Sequence, residues 1–310
     1  MAAREPRESL ATAEGADHKV DPLRLSARNL LIAAAGCVAL FVAILIGVYQ
    51  TSAGLWLDNA ALEGFLSTVH TEQQKNALDS VAHLCDPGPF VLTTLVLMGI
   101  ALLRRSPRRA AAVAVLLAGS EITTQTLKPL LAETRFDGTV VGFNHIVNPV
   151  VPAPAFPSGH STAAMSIAFA ALLVVPRAWR PLTAAVGVLF ALAVPFSIIA
   201  LGWHYPSDIV GGYLVATAWC LVTLAGLRMA DARWPEAGTL RAKARVRVAT
   251  AVAPTAAIAI AAALAAVVAS VEWLTGFADA HTSAAIAAVL IIICAATLVT
   301  AISLADQRAS

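Results

Sequence analysis

The chain has 310 residues, of which 58% are hydrophobic and only 13% charged, and its mean hydropathy is +0.76. Soluble domains carry roughly 25% charged residues, so composition alone excludes a soluble chain and points to a protein that lives in a bilayer. The formal charge of +2 comes with no basic stripe interleaved with aromatics, which gives a nucleic-acid backbone nothing to grip.

Residues 1–28 are polar and of mixed charge, with no apolar run, and are expected to be a tail outside the membrane. From 29 to 49 the chain is apolar for about the ~20 residues that a helix needs to cross a bilayer. That run is too long for a signal-peptide core and is expected to be a retained anchor. Further apolar stretches lie at 88–103, 109–131, 160–176, 182–202, 208–227, 248–271 and 284–304. The expected fold is therefore all-α, a polytopic transmembrane helical bundle of about eight spans. The units expected are the tail (1–28), a membrane core (29–228), a basic linker (229–247) and a C-terminal pair of transmembrane helices (248–310). Cys37, Cys220 and Cys294 lie inside apolar runs and Cys85 is expected near water, so no disulfide is implied. Trp56, Trp203, Tyr205 and Trp273 fall near outer boundaries, as an interfacial aromatic belt would.

Lys and Arg accumulate on the cytoplasmic side of membrane helices. With the tail inside, eighteen of the 21 Lys and Arg fall on inner segments, and only Lys75, Lys128 and Arg135 fall outside. Both termini are thus expected in the cytoplasm of a cell-membrane protein.

Against that background the outer cations need a reason. Lys128 and Arg135 stand seven apart at the outer end of the third span and could hold an anion. Beyond a proline-rich loop, Pro157-Ser158-Gly159-His160 opens the fourth span. It combines a helix N-terminus with free N–H groups, a Ser able to cap and a Gly that lets the backbone approach a ligand, and phosphate is the natural occupant. Between the fifth and sixth spans, His204 and Asp208 are one helical turn apart, so the carboxylate can hold Nδ1–H and leave Nε2 free as a nucleophile. The span assignment brings all three pieces to the same outer boundary.

These residues resemble the type 2 phosphatidic acid phosphatase superfamily, whose pattern is Lys-x6-Arg-Pro, Pro-Ser-Gly-His and Ser-Arg-x5-His-x3-Asp. Lys128 and Arg135 match the first motif, residues 157–160 the second, and Ser197, His204 and Asp208 the third, over roughly residues 84–225. The resemblance implies a six-helix core, with the two C-terminal helices added to it. It also implies an integral membrane lipid phosphatase in which His204 attacks phosphorus, Asp208 orients it and His160 protonates the leaving group. Lys128, Arg135, Ser158 and the Gly159 N–H would then hold the phosphoryl oxygens. No metal and no cofactor is called for, and the partner is a lipid phosphate in the membrane; the sequence gives no oligomeric state. Phosphate transfer to another acceptor, or a catalytically degenerate binding or transport protein, are the alternatives.

Two positions depart from the pattern. Phe136 replaces the Pro after Arg135, and Ile198 replaces the third-motif Arg, which would supply a bidentate phosphate contact. Glu121 shares a helix face with Thr124 and Lys128 and is expected to support Lys128; Ser197 is a further supporting candidate. His145 with His160, His204 and Asp208 has poor spacing for a metal site. Asp86, before Pro-Gly-Pro, reads as a turn without chemistry, and His281 as a solvated loop residue. The orientation is directly testable: cysteines introduced at residues 140 and 107 should be labelled from outside and only from inside, respectively, and the reverse pattern would overturn it.

Overall fold

The computed structural model describes residues 26–133, 151–234 and 272–307, and among these every regular element is helical. The helices are α1 (Ala27–Tyr49), α2 (Ser52–Leu66), α3 (Glu72–Ala82), α4 (Pro87–Leu103), α5 (Pro107–Leu130), α6 (Gly159–Val174), α7 (Arg180–Ala200), α8 (Pro206–Arg233), α9 (Glu272–Ala280) and α10 (Thr282–Gln307). Seven of the expected spans correspond to α1, α4, α5, α6, α7, α8 and α10 within a few residues at most ends. The stretch 248–271 lies outside the described residues, as do Arg135, Phe136 and His145.

Length bears on the count of eight only for the described part of the chain. Among the described residues five helices are long and apolar enough to cross a bilayer, or six if α3 and α4, bent by 50° at their junction, are taken as one. We take α3 as lying outside the membrane, because it carries Glu72, Lys75 and Asp79 and is capped by a Thr71–Gln74 capping box. α6 has 16 residues, about 24 Å of helix, short of the ~30 Å hydrocarbon core. Its neighbours explain how this is tolerated. α4, α5, α7, α8 and α10 all pack on it, so its ends meet protein rather than lipid.

α1 lies along α8 and buries only Leu30, Ala34 and Phe41, presenting the rest of its apolar surface outward as a lipid-facing helix does. α10 packs on α2, α7 and α8 and contributes Ile291, Val299 and Ile302 to the common core. Cys85 also belongs to that core, at 7% exposure, rather than facing water. It closes the 3₁₀ turn between α3 and α4, where apolar packing takes the thiol. His281 is half-buried, with Nε2 3.2 Å from Ser67 Oγ and its ring 5.0 Å from Phe277, so it ties α10 to the end of α2 instead of sitting in solvent.

Two features position the site. Between α5 and α6 runs a buried polar ladder, Ser120 to Ser166 at 3.0 Å and Thr124 to Thr162 at 3.2 Å, the kind of interhelical bonding that holds helices together in lipid. Gly212 of α8 lies under the start of α6, where a Cβ would stand 2.7 Å from the Ser158 carbonyl oxygen. Phe156, fully buried against Phe41 and over Gly211, pins the preceding loop to α1 and α8.

The opposite end of the bundle has its own tight turn. α4 ends in a Schellman motif, with Ser106 N–H bonded to Ala101 O at 3.0 Å and Arg105 N–H to Leu102 O at 2.8 Å. Arg105 there has φ 56°, a left-handed conformation that costs a residue with a Cβ about 1–2 kcal/mol and for which Gly is usual.

Gly212→Val should lower stability by about 1–3 kcal/mol through overpacking against Ser158 and Thr162. Thermal unfolding in detergent measures it, and an unchanged midpoint would contradict the close α6–α8 approach.

Candidate active site

The third motif folds locally. α7 ends at Ala200, Gly202 takes φ 74°, and Pro206 at the first position of α8 restarts the chain as helix. This turn puts His204 before α8 and Asp208 in its first turn. The fully buried Asp208 carboxylate accepts from Tyr205 N–H at 2.9 Å and lies 3.3 Å from His204 Nδ1. Tied at Nδ1, the His204 ring has Nε2 as its remaining nitrogen, the tautomer a nucleophile requires.

The second motif is fastened to the third through the backbone. Ser158 N–H donates to the Asp208 carbonyl at 3.0 Å, so the loop entering α6 is hung on the first turn of α8. Ser158 then caps α6, its hydroxyl accepting from Ser161 N–H at 3.3 Å. Gly159 and His160 occupy the first turn, where amides lack intrahelical partners and the helix dipole favours an anion. The Lys128 ammonium approaches the same turn, 3.4 Å from where a Gly159 Cβ would stand. Lys128 is also within electrostatic reach of Asp208 and Glu121, and His160 within reach of His204 and Lys128.

Together these groups border a cleft of about 310 Å³ whose wall includes Asp86, Glu121, Gln125, Lys128, Gly159 and His160. His204, 5% exposed, is not part of that wall. Glu121, two helical turns before Lys128, accepts from Gln125 Nε2 at 2.5 Å. Ser197 donates to Ala193 O at 2.8 Å within α7. Ile198 is completely buried in the apolar core, so the position that carries Arg in the family pattern is here packed with hydrocarbon.

Two carboxylates were not expected. Asp86, read from sequence as a simple turn, has Oδ1 3.3 Å from His160 Nε2 and Oδ2 2.8 Å from His83 Nδ1. Trp203 completes this corner, its ring 5.9 Å from that of His160 and 6.2 Å from that of His83. Asp58 on α2 is buried and takes Ser207 N–H at 3.2 Å and the Ser207 hydroxyl at 2.5 Å, capping α8 from a separate helix. No sequence signal marked Asp58, whose partner Ser207 lies 149 positions away; for Asp86 the one local signal was His83, three positions before it, while His160 lies 74 positions away.

Burial of the Asp86 carboxyl raises its proton affinity, but hydrogen bonds and charge from His83 and His160 outweigh that and hold it below its ordinary value. His83 is raised, first by its hydrogen bond to Asp86 and then by the carboxylate charge. For His83, the pairing contributes stability below its ordinary value of 6.5 and loses it as pH rises through the raised value. For Asp86, the contribution is present above its ordinary 3.8 and is lost as pH falls through the depressed value.

The arrangement is that of a helical membrane protein with a His–Asp pair, a second histidine and a helix start facing a lysine at one end of the bundle. Residues 109–231 match the sequence model of the PAP2 superfamily. A stretch of 75 residues is 39% identical to undecaprenyl-diphosphatase BcrC of Bacillus subtilis (strain 168), covering 23% of this chain and 36% of that protein. The chain thus matches about a third of the length of this curated relative. The crystal structure of the first transmembrane PAP2-type phosphatidylglycerolphosphate phosphatase, from Bacillus subtilis, superposes with a TM-score of 0.51 at 17% identity, covering 66% of this chain and 98% of that one. The fold is that of a transmembrane PAP2 protein.

Replacing Asp86 with Asn should return His83 titration toward 6.5. The shift is measurable by NMR of the ring protons, and an unmoved His83 would mean that the pair does not form.

Proposed function

We propose that the protein is a membrane lipid phosphatase that cleaves a phosphate monoester or diphosphate through a phosphohistidine. The observation that carries this reading is the backbone bond from Ser158 to Asp208, which couples the anion-binding start of α6 to the His204–Asp208 pair. His204 Nε2 attacks phosphorus and the bond to the leaving oxygen breaks, with His160 giving that oxygen its proton. Water then attacks the phosphohistidine, His160 takes a proton from it, and the P–N bond breaks to release phosphate and regenerate His204. Lys128, Arg135, the Ser158 hydroxyl and the Gly159 N–H stabilise charge on the phosphoryl oxygens, so the sequence of steps uses no metal. Asp86 is a positioning residue: with His160 Nε2 held, Nδ1 is the nitrogen left for proton transfer.

The charge count supports a site on the outer face, with both termini in the cytoplasm. A site at the membrane boundary suits a substrate whose phosphate lies there while its tail stays in the bilayer. Phosphatidic acid, phosphatidylglycerol phosphate and polyprenyl diphosphate all fit. Local likeness to an undecaprenyl-diphosphatase favours the last. One observation favours a second reading, a weakly active or purely binding relative: Ile198 supplies no phosphate contact, and losing such a donor costs on the order of 100- to 1000-fold in rate.

The test is hydrolysis of these lipids by purified protein in EDTA, beside His204→Ala. Activity should persist in EDTA and fall at least about 10³-fold in the variant, with labelled phosphate trapped on His204. Equal activity in both proteins would remove His204 as nucleophile, and no turnover of any lipid by the native chain would favour the binding reading.

A further inference from the structure

The end of the bundle opposite His204 contains a second polar cavity. The link from α4 to α5 and the link from α6 to α7 close around a space of about 360 Å³, within the range of ligand pockets. Five guanidinium-bearing residues line it, Arg104, Arg105, Arg109, Arg177 and Arg180, and among the described residues its lining includes neither Asp nor Glu. α5 runs from this cavity to Lys128, and its 24 residues separate the two ends by about 36 Å.

A cytoplasmic bias in Lys and Arg accounts for arginines being at this end, but it leaves them free to spread into water. Here they converge from two loops despite mutual repulsion. Arg180 is 1% exposed, turned inward rather than out. Arg105 is kept at a left-handed helix end where Gly fits best, so its side chain is retained against the backbone preference. Arg108, one position from the cavity-lining Arg109, pairs with Asp231 at 3.0 Å and is not among the residues lining the cavity. The rim is apolar and interfacial: Leu102 and Leu103 are 54% and 87% exposed beside Arg104, and Trp179 is 59% exposed beside Arg180.

We propose that this cavity binds a phosphate group, that of an anionic phospholipid of the inner leaflet whose chains lie along the exposed leucines of α4. Guanidinium forks match phosphate oxygens two at a time, and several of them together offset each other's repulsion once the anion is seated. Basic pockets between membrane helices on the cytoplasmic side bind such headgroups. The site is separate from the cleft of Lys128 and His160 and holds its ligand without cleaving it.

The experiment is thermal unfolding of the full chain in neutral detergent, with added phosphatidylglycerol, phosphatidylcholine or inorganic phosphate, for the native protein, Arg105→Gly and Arg177→Gln. Phosphatidylglycerol should raise the native midpoint by several degrees more than phosphatidylcholine, and each variant should lose at least half of that difference. Without lipid, Arg105→Gly should unfold at or above the native midpoint, which separates lost binding from lost folding. Inorganic phosphate giving the same saturable, variant-sensitive shift would support the site and identify free phosphate as its source. Equal shifts in native and variant proteins, or phosphatidylcholine matching phosphatidylglycerol, would overturn the proposal.

Discussion

A single backbone hydrogen bond, Ser158 N–H to Asp208 O, joins two segments fifty positions apart, and the candidate site depends on it. One segment supplies a helix start suited to an anion, the other a histidine with its carboxylate. Neither is useful for phosphate chemistry unless their separation is fixed to within a fraction of an ångström. The bond is possible because Gly212 has no side chain to keep α6 off α8, and because Phe156 is buried where the loop turns. Thr162 extends the same junction, its hydroxyl donating to Ser158 O at 2.9 Å, and the ladder to Thr124 carries it across to α5 and Lys128. Packing, rather than loop chemistry, therefore sets the geometry.

A consequence is that the site lies where α6 begins, on a helix too short to span by itself. Sheathed by five others, α6 needs no match to bilayer thickness, so its N-terminus can stop at a depth set by α8. Asp58 does the corresponding work for α8, receiving both Ser207 donors from outside the motif-bearing helices. The start of each helix that frames the site is thus held by a side chain or carbonyl chosen for that purpose.

Much of this was legible in the residues, because membrane spans and short motifs are local signals. Seven of the described helices were legible from apolar length alone, and the His204–Asp208 pairing follows from a four-residue spacing. What escaped was either short or non-local. α2 has 15 residues interrupted by Asp58, Asn59 and Glu63, so no apolar run marks it. α3 is polar, though Thr71 and Gln74 have the capping-box spacing that announces a helix start. The meeting of Asp86 with His160 has no sequence period to reveal it, since it arises from the 50° turn between α3 and α4.

That turn also bears on the missing arginine. In the family pattern a cation follows Ser197, whereas here the core closes over Ile198. Among the described residues, the positive character beside Gly159 comes from Lys128 and the α6 amides. Asp86 lies against His160 and Trp203 against the same ring, so a carboxylate and an indole together fix where that imidazole stands. The Asp86 contact therefore orients His160 but supplies no positive charge in place of the arginine absent at position 198.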